Sequence, residues 1–234
     1  MNRALFAMLV LPVVVLSPAN AQTGGVSVSP VLVSLEPGRN ISSIRLRNGR
    51  NRPISFELEV YSWSQQDGQN VMTPTTELLI TPKVFEVPEN DEQIIRLGVS
   101  AIDSGAERAY RILIRELPST LNRGANVGLR LEMSLPVFVV PRGAEPQLDL
   151  NIQDAPEGPS LVLTNTGNAH IQLASIDADD VAMNGPRYLL AGASVRMRVP
   201  DDAESVRVRA MESGRPALEQ MIHVGQTNRI LSLR

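Results

Sequence analysis

Few side chains in this sequence are equipped for covalent or redox chemistry. The chain has no cysteine, and its two histidines, His170 and His223, lie far apart in strand-like surroundings without acidic neighbours in sequence. Both read as strand histidines rather than as general bases or soft-metal ligands. No G-x-S-x-G elbow, phosphate-cradling glycine loop or metalloprotease helix motif occurs. The pairs Asp179-Asp180 and Asp201-Asp202 read as solvated turn residues, because neither sits with further oxygen ligands at a recurring spacing. The remaining carboxylates are too scattered to nominate a glycosidase pair. The expectation is a protein that is not an enzyme and uses no metal or cofactor.

Two features point to binding instead. In Asn126–Val140, Val127, Leu129, Leu131, Met133 and Leu135 alternate with Arg130 and Glu132, so a strand here carries one apolar face. That face either fills its own core or is partly lent to another chain by strand addition. Upstream, Arg111 alternates with Tyr110, Ile112 and Ile114. An arginine held against a half-buried sheet grips a carboxylate through two parallel hydrogen bonds; the alternative is a local ion pair with Glu107 or Glu132.

These residues need strands to position them. Period-two alternation, as in Ile44-x-Leu46 and Phe56-x-Leu58-x-Val60, recurs through the chain, and turn clusters such as Glu36-Pro37-Gly38 and Pro88-Glu89-Asn90 separate the runs. Val26 to Leu35 forms an opening strand with Pro30 inside it, which favours an edge position or a switch between sheets. Further strands are expected at Glu77–Thr81, Val84–Val87, Gln93–Val99 and Ala109–Leu117. Pro141 to Pro146 reads as a linker, and a second set of short strands follows it between Leu148 and His223. No long segment has a capped helical period, and no repeat of fixed length is visible. The expected domains are 22–143 and 144–234, both all-β.

The first residues carry Arg3, an apolar run from Ala4 to Leu16, and Ala19-Asn20-Ala21. That pattern predicts a signal peptide over 1–21, cleaved after Ala21; the run is shorter than a spanning helix needs and holds Pro12. The net charge of -3 becomes -4 once Arg3 is lost, which gives no reason to expect nucleic acid or an anionic membrane as partner. No membrane insertion is expected after cleavage.

The chain resembles the PapD-like periplasmic pilus-assembly chaperones of the chaperone-usher pathway. Four stretches carry the likeness: Val26–Leu35 with Pro37-Gly38; the Asn48–Pro53 turn after Ile44-Arg45-Leu46; Leu79–Val87 leading to Gln93–Leu97; and Tyr110–Pro118 with its Arg-Glu-Leu-Pro ending. Leu161–Leu173, with Asn165 and Asn168, adds a looser likeness in the second domain. The resemblance implies two immunoglobulin-like β-sandwich domains in an L-shaped (boomerang) arrangement. It also implies a periplasmic protein that binds a pilus subunit and passes it to an outer-membrane usher, with Val127, Leu129, Leu131 and Met133 as the donated residues. It admits a self-capping dimer of the free protein. The better-known members hold the subunit's terminal carboxylate with basic residues at places where this chain has Leu32 and the neighbourhood of Ser134–Pro136. The pattern looks like the archaic branch, which implies Arg111 as the anchor, with Arg115 second in line as a structural or cleft-lining cation. The competing expectation is a structural or adhesive immunoglobulin-like exported module; against it, only Thr23-Gly24-Gly25 stand between Gln22 and the first strand.

Overall fold

The computed structural model describes residues 24–102, 105–118, 130–212, 215–225 and 229–232. The predicted signal peptide, Val127 and Leu129 lie outside them. Alternation becomes strands along the chain, and no helix occurs among the described residues. The first ten strands are β1 (Val26–Ser29), β2 (Val33–Leu35), β3 (Ile41–Asn48), β4 (Ile54–Gln66), β5 (Gln69–Pro74), β6 (Leu79–Thr81), β7 (Val84–Val87), β8 (Glu92–Gly98), β9 (Arg108–Glu116) and β10 (Glu132–Val139). They form one sheet of order β1-β3-β8-β6 and another of order β2-β10-β9-β4-β5, with β7 on β4. Nine strands follow: β11 (Gln147–Ala155), β12 (Gly158–Asn165), β13 (Ile171–Ala178), β14 (Val181–Ala182), β15 (Tyr188–Leu189), β16 (Ser194–Arg198), β17 (Ser205–Glu212), β18 (Arg215–His223) and β19 (Arg229–Ser232). Their sheets run β16-β12-β11-β19 and β14-β13-β17-β18, with β15 on β13.

The opening segment divides at Pro30. β1 pairs with β3 in one sheet, whereas β2 pairs in parallel with β10 in the other. A proline offers no N–H to a ladder, so the chain leaves the first sheet there and crosses to the second. The crossing is brief, and its consequence is large. β10 is covered along its whole length by β9, but β2 reaches only Val137–Val139 on the other edge. Glu132–Pro136 therefore present a sheet edge without a strand partner among the described residues.

Each sandwich closes over its own apolar layer. The first buries Leu35, Ile44, Phe56, Ile95, Ile112 and Val137; the second buries Leu148, Leu161, Leu163, Val206 and Val208. A buried asparagine follows the same plan in both. Asn48 Nδ2 donates to the carbonyls of Arg52, Val87 and Pro88, and its Oδ1 accepts from Arg50 N–H. Asn165 Nδ2 donates to Ala169 and Leu189, and its Oδ1 accepts from Gly167 N–H. In each sandwich one amide thus organises the turn after a strand and ties it to a distant segment, a correspondence that no repeat in the sequence advertises.

The two sandwiches share a packed junction. Trp63 and Phe138, on strands of the first, are buried in the apolar cluster of the second. Gln65 Nε2 donates to Tyr188 O, and Leu190 N–H donates to Gln65 Oε1. The β4–β5 hairpin turns on Asp67-Gly68, both at positive φ, the two-residue turn that Asp-Gly favours. Its tip lies against Val195 of β16.

Candidate functional site

Cross-strand register lays out the outer face of the β4–β9–β10 sheet in rows. Trp63, Ala109 and Phe138 stand side by side next to the second sandwich. Tyr61, Arg111 and Pro136 form the next row, then Glu59, Leu113 and Ser134, then Glu57, Arg115 and Glu132. Trp63 reaches this face by plain alternation: Ile54, Phe56, Leu58 and Val60 point into the core, so Glu57, Glu59, Tyr61 and Trp63 point out. Small Ala109 leaves room for two aromatic rings beside it. Those rings give the second sandwich a surface to pack on.

Arg111 lies over that aromatic surface. Its guanidinium carbon is 3.8 Å from the Trp63 ring centre and 5.9 Å from that of Tyr188, which suits a planar cation on π faces. Burial pushes its pKa down from the ordinary arginine value, the signature of a charge removed from water. Neither expected local partner takes it. Glu132 pairs with Arg115, and Glu107 with His170. Among the described residues Arg111 has no carboxylate within ion-pair distance. It opens into a cleft of about 700 Å³ between the sandwiches, whose walls include Leu32, Ser34, Ser134, Pro136 and His170. Arg111 is thus directly opposite Pro136 on the strand whose edge is open.

His170 corrects the sequence reading, which gave it no acidic partner. Its backbone N–H donates to Glu107 Oε1, and its Nδ1 stands 2.9 and 3.0 Å from the two oxygens of that carboxylate, whose side chain is 2% exposed. Its ring stacks on Phe138 with centres 3.6 Å apart and planes 9° from parallel. Glu107 is 63 residues away in sequence, and no local pattern announces the contact. His170 is a wall of the cleft and a link between the sandwiches.

Arg115 faces the same way as Arg111, four residues or roughly 13 Å further along β9. It is engaged by Glu59 and Glu132 and is not among the cleft walls. Of the apolar residues singled out on the long strand, Leu131 and Met133 are half-buried, Met133 packing against the first core. Leu135 is inside that core. Tyr188 also lines the cleft, and Trp63, Phe138 and Glu107 stand behind its walls against Arg111 and His170, although the motifs did not single them out; the lone tryptophan on the outward face of β4 was the available signal. The arrangement offers a desolvated planar cation beside unpaired backbone. It can take a carboxylate bidentately and continue a β-ladder.

Residues 25–145 match the family described as pili and flagellar-assembly chaperone, PapD N-terminal domain. The chain is 29% identical over 175 residues to the probable fimbrial chaperone EcpB of Escherichia coli O157:H7, covering 70% of this chain and 75% of that one. Its fold is similar to that of a chain in the CsuC–CsuE chaperone–tip adhesion subunit pre-assembly complex from the archaic chaperone-usher Csu pili of Acinetobacter baumannii, with TM-score 0.68, 18% identity and coverage of 85% and 97%. It is similar also to a chain of the Salmonella enterica SafA pilin–SafB chaperone complex, with TM-score 0.69, 16% identity and coverage of 86% and 97%. The sandwiches are accordingly of the immunoglobulin-like kind found in these chaperones. The family is one of periplasmic chaperones and not of enzymes. With its family match spanning more than half of its length, the chain belongs to the PapD-type pili and flagellar-assembly chaperones.

Proposed function

We propose that the interdomain cleft and the open edge of β10 are the subunit-binding site of a pilus-subunit chaperone, with Arg111 as the carboxylate anchor. The observation that carries this reading is a half-buried arginine, without a carboxylate partner among the described residues, standing across from Pro136 at the cleft end of an unpaired sheet edge. A subunit lacking a strand exposes both an apolar groove and unpaired backbone, the combination that drives edge-to-edge aggregation. β10 supplies backbone through Glu132–Pro136 and apolar side chains through Leu131 and Met133; Val127 and Leu129 extend that apolar series in the sequence. A terminal carboxylate at Arg111 sets the register of the added strand. The absence of basic residues at Leu32 and in the neighbourhood of Ser134–Pro136 favours an archaic-type anchor, in keeping with the likeness to the Csu chaperone complex. The finer assignments belong to this reading: a signal peptide over 1–21 cleaved after Ala21, domains at 22–143 and 144–234, Arg115 as a paired cation of the same face, and delivery of the subunit to an outer-membrane usher.

The test is co-expression with a candidate pilin, periplasmic extraction and size-exclusion chromatography. The wild type yields a one-to-one complex. Arg111→Ala remains folded and loses about tenfold or more in capture, the scale for removing one partner of a desolvated charge pair. Normal capture by Arg111→Ala removes the anchor, and normal capture by Leu131→Glu removes strand donation.

A further inference from the structure

At the far end of β9 from the cleft, Glu116 points inward, where alternation calls for an apolar residue, and is 7% exposed. Arg50 Nη1 donates to both of its oxygens at 3.0 and 3.1 Å, and Arg52 Nη2 donates to Oε1 at 2.9 Å. Both arginines come from the β3–β4 turn, which folds over the end of the first sandwich. This cluster touches the strand assigned above to subunit binding. Glu116 N–H donates to Leu131 O at 2.9 Å, and Leu131 N–H donates to Glu116 Oε2 at 3.3 Å.

That second bond is unusual for a ladder. Two residues facing each other in an antiparallel hydrogen-bonded pair normally exchange both backbone bonds. Here the return bond goes to the side-chain carboxylate instead of the Glu116 carbonyl. Regular pairing with β9 stops at Glu132, and a charged group stands where the apolar layer ends. Leu135, Val137 and Val139 lie inside that layer, whereas Leu131 is only half-buried at its margin.

We propose that Glu116 is a positioning residue for subunit capture: its carboxylate, braced by Arg50 and Arg52, ties down the Leu131 N–H and fixes where the apolar face of β10 passes from the chaperone's own core to the client. The inference rests on the reading of β10 as the subunit-binding strand. Glu116 touches no client; it sets the angle and register at which Leu131 and Met133 are offered. Arg50 and Arg52 hold the carboxylate in the one place from which it reaches Leu131.

The experiment compares full-length Glu116→Ala, Glu116→Gln and Leu131→Glu by amide hydrogen exchange, thermal unfolding and capture of a co-expressed pilin. Glu116→Gln keeps an acceptor for the Leu131 N–H. It is expected to capture within about threefold of wild type, whereas Glu116→Ala, which leaves that donor unpaired, loses about tenfold. Exchange in the alanine variant rises at Leu131–Met133 while the amides of β3 and β8 stay protected. A general fall in protection, with capture following only the folded fraction, reduces Glu116 to a stabilising ion cluster and overturns the proposal. Normal capture by Glu116→Ala also overturns it; if Leu131→Glu abolishes capture in the same series, the strand-addition reading stands. Should Leu131→Glu capture normally, that reading fails first and the positioning role with it.

Discussion

At the scale of single residues, the cleft turns on how arginine differs from lysine. The Arg111 guanidinium lies over the Trp63 ring and keeps its donors for a partner in the cleft. A lysine there offers a point charge that neither stacks nor forks. Arg111→Lys is therefore expected to recover only part of the capture lost in Arg111→Ala. Its unfolding midpoint should stay close to wild type, because an exposed or half-buried cation–π contact is worth about 0.5–2 kcal/mol. Full rescue by lysine, read by titrating purified chaperone with a peptide ending in a free carboxylate, would leave charge alone as the anchor. Tyr110 offers a separate check. Burial, reinforced by its hydrogen bond to Glu77, pushes this phenol up to about 12. An acid raised in the folded state contributes stability that is complete below its ordinary value of 10.0 and declines as pH climbs from there towards about 12. Urea midpoints across that window should fall for the wild type and fall less for Tyr110→Phe. Arg111 was legible as a basic interruption in an apolar strand, but its lack of a partner was not. Glu132 and Glu107 were both plausible neighbours in sequence, and only the register of β10 and the approach of His170 from the second sandwich assign them elsewhere.

At the scale of elements, alternation with burial on one face made β3, β4, β8, β9 and β13 legible. β5 was missed because Gln69–Pro74 is exposed on both faces apart from Val71, so no period is imposed on its sequence. Its signal lay in Asp67-Gly68. β14 and β15, of two residues each, are too short for any period. The buried asparagines show a different limit: their turns were legible as Asn-Gly and Asn-Thr-Gly-Asn, but the carbonyls they serve are up to 40 residues away. Asn48→Ala deprives three carbonyls of a buried donor, and the expected loss is about 2–4 kcal/mol in urea unfolding. Asn48→Asp should lose at least as much at neutral pH, since an ionised carboxylate accepts but does not donate. An aspartate variant as stable as wild type would assign the role to the bond that Asn48 Oδ1 accepts from Arg50, rather than to the donors.

At the scale of the whole molecule, the cleft has a defined width only if the sandwiches hold a fixed angle, and two rings are central to that angle. Phe138 is fully buried, yet its neighbours are Trp63, Tyr188 and His170 rather than the core of its own sandwich. A residue on β10 thus joins the subunit-binding strand to the second sandwich. Interdomain contacts within a chain are commonly loose, but a junction that buries aromatic rings couples the unfolding of the two halves. Phe138→Ala opens a cavity at the junction and costs about 3–5 kcal/mol. It should leave the first core intact, because Phe138 is not part of it. Calorimetry is expected to show one cooperative transition for the wild type and two for Phe138→Ala, as the halves cease to melt together. Leu161→Ala, inside the second core, is the control: it removes similar packing without touching the junction and should lower the melting temperature with the transition still single. If Phe138→Ala also melts in one step, the remaining junction contacts, Trp63 on Tyr188 and the Gln65 and Glu107 hydrogen bonds, suffice for coupling. The Gln65→Ala, Phe138→Ala pair would then be the variant that separates the halves and widens the cleft around Arg111.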